Sequence, residues 1–329
     1  MILAAVAFAT SIDAMFRDYD GAVAGASVLV MRNGEVVFRK SYGTDATPET
    51  NYRLASVTKQ FTAMAILTLA HRGKLSLDDR ITKFFPEFPE HGITVKQMLT
   101  HTSGLVDYED VMPPNTTIPL KDFDVLWILQ QQEKTLFTPG SKWQYSNSGY
   151  ALLALIVEKV SGQTFARFLH DNLFVPAGMK HTLAYEKGLS TVEHRAYGYS
   201  REGNGWKRTD QSLTSAVLGD GGVYSSIDDL AKWYAWLDKN PLYRDATTPR
   251  FEVEDSGPPL SGQPRAAVPH YGYGWFVGPD AVWHTGETIG FRNAVLRTKD
   301  GLTVVILTNR DEGHPIELAR AIVSQLPHK

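Results

Sequence analysis

The chain has 329 residues, of which 43% are hydrophobic and 21% are charged, and its formal net charge is −3. This composition excludes a disordered, collagen-like or disulfide-stapled small protein, because the chain is long and apolar enough to bury a sizeable core. The 33 basic residues do not exceed the 36 acidic ones, so nucleic acid is not an expected partner. Cysteine is absent, which excludes thiolate metal sites and a cysteine nucleophile.

The first residues, Met1 to Ala9, form a short apolar run. This run resembles the tail of a secretory signal without its basic leader, which predicts a periplasmic or secreted protein; without such a signal the expected location is cytoplasmic. The alternative is an N-terminal helix that continues through Ile12, Met15 and Phe16. No later stretch reaches the roughly 18 consecutive apolar residues of a membrane span, so we expect no integral membrane segment.

Strand patterns occur near both ends of the chain. Two β-rich runs, 25–31 and 36–42, flank Asn33-Gly34, a dipeptide typical of tight hairpins. The strands predicted near the other end are Ala281 to His284, Phe291 to Arg297 and Leu302 to Thr308. These patterns indicate that the two ends of the chain pair into one antiparallel sheet.

Helical periodicity dominates the middle of the chain and its last residues. The predicted helices are Leu54 to Arg72, Thr94 to His101, Asp122 to Glu133, Gly149 to Val160, Thr164 to Leu173, Leu230 to Leu237 and Pro315 to about Leu326. The turn-rich segment from Glu254 to Pro269 is predicted to be a surface loop, with a mobile segment as the alternative. Together these elements predict an α+β fold in which helices flank the sheet.

One S-x-x-K sequence, from Ser56 to Lys59, lies where the first long helical pattern begins. Residues three apart share a helix face, so Lys59 is placed to take the Ser56 proton or to stabilise its alkoxide. Backbone N–H groups at the start of a helix are also suited to holding an oxyanion. The alternative is a capping serine beside an exposed lysine, because so short a motif also occurs by chance.

Two further motifs add to this one. The Y-x-N sequence that begins at Tyr145 follows turn-forming residues, so we expect its phenol on a loop that borders a cleft. A nearby cation favours the ionised phenol, which is a base. The H-T-G sequence that begins at His284 lies in a predicted strand, where its glycine permits close backbone approach. The alternatives are a packed tyrosine and a structural histidine.

In this order, the three motifs resemble those of the serine β-lactamase and penicillin-binding-protein superfamily, and the Y-x-N form resembles its class C branch. The segments 99–105, 145–150, 221–226 and 271–275 are also similar to segments that recur in this family. The resemblance implies a β-lactamase/transpeptidase-like fold. Its sheet domain comprises 1–80 and 200–329, its mostly helical domain comprises 81–199, and the active site lies in the cleft between them.

The resemblance also implies residue roles. Ser56 is the acylated nucleophile, and Lys59 and Tyr145 share the proton transfers, with the base of the acylation step left open. No cofactor and no metal are implied. The oxyanion hole uses the backbone N–H groups of Ser56 and Glu287. The residues implied in oxyanion and substrate binding are Asn147, His284, Thr285, Gly286 and Glu287.

Two departures from the class C pattern affect the substrate prediction. His284 stands where class C enzymes usually carry lysine, and a histidine is mostly neutral at pH 7. The H-T-G form resembles that of family VIII esterases and D-aminopeptidases, although Arg292 is a candidate for restoring a positive charge. Relatives often have a small residue at Glu287. We hypothesise that its carboxylate, if it faces the cleft, favours neutral or amine-bearing substrates; the alternative is that it faces solvent.

We therefore predict a serine hydrolase that acts through a Ser56 acyl-enzyme on small esters or on amide- or peptide-like bonds. One alternative is an active class C-like β-lactamase or a D-alanyl or D-amino-acid peptidase. An alternative of another class is a catalytically silent protein that binds peptides or peptidoglycan. The expected partner is a small ester or peptide-like substrate, and the oligomeric state is not predicted. His101 and Thr102 are expected to cap and pack beside the helices, with a direct role as the alternative.

Overall fold

The computed structural model describes residues 2–253 and 269–326. Its helices are α1 Ile2–Met15, α2 Lys59–His71, α3 Ile81–Phe84, α4 Val95–Leu99, α5 Tyr108–Val111, α6 Asp122–Gln130, α7 Asn147–Ser161, α8 Phe165–Leu169, α9 Val175–Ala177, α10 Ile227–Leu237, α11 Pro241–Ala246 and α12 Pro315–Ser324. Its strands are β1 Ala26–Arg32, β2 Glu35–Tyr42, β3 Tyr52–Arg53, β4 Leu183–Ala184, β5 Tyr199–Glu202, β6 Gly205–Arg208, β7 Val223–Ser225, β8 Phe251–Glu252, β9 His270–Tyr271, β10 Phe276–Val277, β11 Ala281–Thr288, β12 Phe291–Thr298 and β13 Leu302–Thr308.

One eight-stranded antiparallel sheet organises the molecule, in the order β2-β1-β13-β12-β11-β10-β9-β8. Strand β1 pairs with β13, with Val28 opposite Ile306, so both ends of the chain share the sheet as predicted. Asn33 and Gly34 have φ angles of +52° and +84°, the left-handed conformation that a tight hairpin turn requires. The α+β prediction and the N-terminal hairpin are therefore confirmed.

Helices cover both faces of this sheet. Successive side chains of a strand point to opposite sides, so one strand contributes to the apolar clusters on both faces. Val28 and Val30 join a smaller apolar cluster with residues of α1 and α12. Leu29 and Met31 join the larger cluster, to which α2, α7 and α10 contribute. Helix α2, which begins at Lys59, thus lies within the main core.

The N-terminal residues form helix α1, which confirms the helical alternative for this segment. Ile12 and Phe16 are fully buried against the sheet. A secretory role for Met1 to Ala9 stays a prediction. Within 2–253 and 269–326, no helix has the length and apolar character that crossing a membrane requires.

The predicted helices are present, with differences at their ends. The segment around Ser56 starts as a 3₁₀ turn, Ala55–Thr58, and becomes α-helical only at Lys59. Helix α7 begins at Asn147, two residues before the predicted start. The predicted helix over 164–173 is divided into α8 and a following π-helical turn.

The remaining differences and predictions concern three short strands, the domain boundaries and the predicted loop. Strands β8, β9 and β10 extend the sheet beyond β11, although their two-residue lengths gave no sequence pattern. Helices α3 to α9 all lie within 81–199, and the domain boundaries themselves stay a prediction. The predicted loop from Glu254 to Pro269 lies outside the described residues except for Pro269.

Candidate active site

Ser56 and Lys59 meet where the 3₁₀ turn passes into α2. Lys59 Nζ donates hydrogen bonds to Ser56 Oγ at 3.0 Å, to Asn147 Oδ1 at 2.8 Å and to the backbone oxygen of Asp220 at 3.0 Å. The Lys59 residue is 0% exposed, whereas Ser56 is partly exposed. Three acceptors therefore match the three N–H bonds of a buried ammonium, and the serine oxygen remains open to a substrate.

The backbone before Ser56 is strained and closely packed. Ala55 has a φ of +49°, in the left-handed region, and such a conformation costs about 1–3 kcal/mol for a residue other than glycine. On the neighbouring strand β11, a Cβ atom added at Gly286 would lie 2.0 Å from the Leu54 carbonyl oxygen. Only glycine permits this approach, so β11 packs directly against the turn that presents Ser56.

Tyr145 lies on the loop before α7, as the sequence predicts. Its ring centroid is 4.9 Å from Lys59 Nζ, and the residue is partly exposed. Asn147 is the first residue of α7, and its backbone N–H donates to Asp107 Oδ2 at 2.7 Å. Asp107 is not among the site residues predicted from the sequence, since an isolated aspartate in a loop carries no motif.

Carboxyl groups surround the lysine on the side of the helices. Burial raises the pKa of Asp107 and of Glu109, and the Lys59 charge opposes both shifts. The Asp220 carboxyl accepts a hydrogen bond from the Tyr108 hydroxyl at 2.9 Å, and burial raises its pKa to about 7. The helical side of the candidate site is thus acidic, with Lys59 as the cation that these groups face.

His284 is 1% exposed, and both of its ring nitrogens have partners inside the protein. Nδ1 lies 2.6 Å from the Thr285 carbonyl oxygen, which can only accept, so Nδ1 carries the proton. Nε2 then accepts from the Tyr271 hydroxyl at 2.9 Å. Burial, reinforced by the Lys59 charge, lowers the pKa of His284 to about 3. The side chain is therefore neutral.

The predicted role of His284 in substrate binding stays a prediction. Its ring nitrogens hold Tyr271 and the Thr285 carbonyl, so the ring braces β11 and β9 from inside the protein. Thr285 is partly exposed and Gly286 is buried. The roles of Thr285 and Gly286 in substrate binding stay predictions.

Glu287 and Arg292 face each other across β11 and β12. Arg292 Nε lies 3.4 Å from Glu287 Oε2, and the Glu287 side chain is 62% exposed. The Arg292 charge is thus offset by a neighbouring carboxylate, which weakens it as a replacement for the cation that His284 does not supply. The proposed oxyanion hole of the Ser56 and Glu287 N–H groups stays a prediction, which the contact between Gly286 and Leu54 supports.

The structure brings together the three segments that the sequence singles out, which hold Ser56 and Lys59, Tyr145 and Asn147, and the strand residues 284–287. Their proposed roles in catalysis stay predictions. In the described ranges, 2–253 and 269–326, no group of three or more histidine or acidic side chains is arranged to hold a metal ion.

Comparison with known proteins identifies a matching family model, related sequences and a similar solved structure. A family model described as Beta-lactamase matches residues 12–326. Penicillin-binding protein 4* of Bacillus subtilis is 31% identical, over 92% of this chain and 71% of its own length. Protein flp of Staphylococcus aureus strain MW2 is 30% identical over 93% of this chain, which spans only 64% of that relative. The crystal structure of a penicillin binding protein from Bacillus halodurans has a TM-score of 0.79 and 26% identity, covering 96% of this chain and 98% of that one.

Proposed function

Because the chain belongs to the Beta-lactamase family, a family of serine hydrolases, we propose that it hydrolyses small esters or amide-like bonds through an acyl-enzyme on Ser56. The observation that carries this proposal is the 3.0 Å contact between Ser56 Oγ and the buried Lys59 Nζ. A binding protein has no need of a partly exposed serine held by a buried cation with a phenol beside it. This argues against the catalytically silent alternative.

The proposed first step is attack of Ser56 Oγ on the substrate carbonyl carbon. The new O–C bond forms as the serine proton leaves, and the bond to the leaving alcohol or amine then breaks as that group takes a proton. All three N–H bonds of Lys59 are donated, so the geometry favours Tyr145 over Lys59 as the proton acceptor. Water then attacks the acyl ester and releases Ser56.

The substrate class follows from the charges around the site. His284 is neutral and buried, and Arg292 is paired with Glu287, so neither grips a substrate carboxylate strongly. Asp107 and Glu109 place two carboxyl groups on the side of the helices; burial raises the pKa of both, and the Lys59 charge favours their ionised forms. We therefore propose neutral or amine-bearing esters and amides as substrates, in preference to carboxylates. An active class C-like β-lactamase or a D-alanyl or D-amino-acid peptidase is the second candidate; the description of the family model and the penicillin-binding-protein relatives favour it.

The proposal predicts that Ser56→Ala loses at least about a thousandfold in kcat/KM on p-nitrophenyl butyrate, since the bond-forming atom is removed. Turnover of this ester and of nitrocefin is measured for the wild type and the variant. Ser324→Ala, at an exposed serine of α12, is the matched control and keeps wild-type rates.

Ester turnover with slow nitrocefin hydrolysis supports the esterase proposal. Nitrocefin turnover faster than ester turnover replaces it with the β-lactamase alternative. Ester turnover that survives in Ser56→Ala contradicts both.

A further inference from the structure

His101 contacts Tyr145 and both of its neighbours in the chain. The His101 carbonyl oxygen accepts a hydrogen bond from the Gln144 N–H at 2.9 Å. Its Nδ1 accepts one from the Ser146 N–H at 3.2 Å. Its ring lies with its centroid 4.3 Å from that of Tyr145 and the planes 32° apart. One residue thus fixes the backbone on both sides of the phenol and packs against its face.

His101 is itself held in place. It is 1% exposed and has a φ of +58°, a left-handed conformation in which asparagine, aspartate and histidine are enriched among residues other than glycine. Its ring also contacts Tyr150 and Tyr271, with centroids 5.1 and 4.6 Å away. Packing against these tyrosine rings fixes the orientation of the His101 ring.

The ring is neutral, in one tautomer. Because the Ser146 N–H donates to Nδ1, that nitrogen carries no proton and Nε2 does. Burial, with the nearby Lys59 and His284, lowers the pKa of His101 well below its ordinary value. Nε2 is buried and has no hydrogen-bond partner among the described residues. His101 therefore neither exchanges protons near neutral pH nor bonds to Ser56.

We propose that His101 is a positioning residue, which holds the Tyr145 phenol beside Lys59 and Ser56 through the two backbone contacts and the ring contact. This inference rests on the proposed function, in which Tyr145 takes the serine proton. A base that is displaced by about 1 Å loses up to roughly a hundredfold in rate, so a positioning residue acts on kcat more than on substrate binding. The titratable groups that face Tyr145 or His101 are Lys59 from α2, Tyr150 from α7, Tyr271 from β9 and His284 from β11.

Two substitutions at His101 separate the hydrogen bond from Ser146 and the ring contact with Tyr145. His101→Phe keeps a ring against Tyr145 and removes the acceptor for the Ser146 N–H. His101→Asn keeps an acceptor at the position of Nδ1 and tolerates the left-handed backbone, but removes the ring. Each variant is expected to lower kcat on p-nitrophenyl butyrate about tenfold to a hundredfold, with KM changed less than about threefold. The pH dependence of kcat/KM is expected to shift in both.

His71→Gln, at an exposed histidine at the end of α2, is the matched control and keeps the wild-type kcat and pH profile. Thermal unfolding of each variant shows whether it is folded at the assay temperature. Folded His101 variants with wild-type kcat and pH profile overturn the inference.

A double variant separates this inference from the proposed function. When Tyr145→Phe is already present, His101→Phe is expected to lower kcat less than about twofold further, because the group that it positions is gone. If the two effects multiply in full, the positioning role is wrong while the role of Tyr145 stands. If Tyr145→Phe alone keeps the wild-type kcat, the proposed function of Tyr145 is wrong as well.

Discussion

The buried histidine of strand β11 shows how burial decides the chemistry of a residue. In the sequence, His284 is a candidate substrate contact, whereas in the structure it is a neutral group bonded to Tyr271 and to the Thr285 carbonyl. The resemblance to class C enzymes implies a lysine at this position, and lysine is a cation at neutral pH. This protein has instead a neutral, buried ring whose two nitrogens are bonded within the protein.

This burial predicts a pH-dependent stability. The pKa of His284 is lowered to about 3 in the folded state, against about 6.5 when unfolded. Between these values the unfolded state binds the proton and the folded state does not, so the free energy of unfolding falls as the pH falls below about 6.5. His284→Gln removes this contribution. Between about pH 7.5 and pH 4.5 the wild type should lose on the order of 2 kcal/mol more than the variant.

Urea unfolding at several pH values measures this difference, with His71→Gln as the control that retains the wild-type pH dependence. An identical loss of stability in the wild type and in His284→Gln would show that folding does not lower the pKa of His284.

At the scale of elements, the close approach of β11 to the 3₁₀ turn positions the nucleophile. Gly286 lies against the Leu54 carbonyl, so Gly286→Ala forces the strand and the turn apart. The expected results are an overpacking cost of about 1–3 kcal/mol and a loss of at least about tenfold in kcat on p-nitrophenyl butyrate. Denaturant unfolding and ester turnover measure the two effects.

The matched control is Gly205→Ala in the β5–β6 hairpin, where the nearest atom to an added Cβ is 3.8 Å away. It should keep both stability and rate. Equal behaviour of Gly286→Ala and this control would contradict the packing of β11 on the turn.

Elements with strong local patterns were predictable, and those formed by tertiary contacts were not. The hairpin at Asn33-Gly34 is local turn chemistry, and strand β13 contains a run of four apolar residues, 304–307. The 3₁₀ start of the Ser56 segment gives no sequence signal, because it depends on the packing of β11. Strands β8 to β10 are too short for any periodicity and exist because they pair with a neighbour.

At the level of the whole molecule, the sequence predicted which candidate site residues lie close together. It did not predict all of the neighbouring groups that set their charge and orientation. Ser56, Lys59, Tyr145 and Asn147 could be found from motif order, since each motif has its own spacing. Asp107 and Asp220 lie outside the segments that resemble the family, and only the folded chain brings them to Asn147 and Lys59. His101 lies in the family-like segment 99–105, but its contact with Ser146 also requires the folded chain. Charge balance and burial are properties of the assembled site, so the neutrality of its histidines rests on the structure.

The intact mass of the protein after brief exposure to a fluorophosphonate tests directly whether Ser56 is the nucleophile. We expect one adduct on the wild type and on Ser324→Ala, and none on Ser56→Ala, because the partly exposed Ser56 beside Lys59 is the proposed nucleophile. An adduct that persists in Ser56→Ala, or a folded wild type that takes no adduct, would contradict the assignment of Ser56.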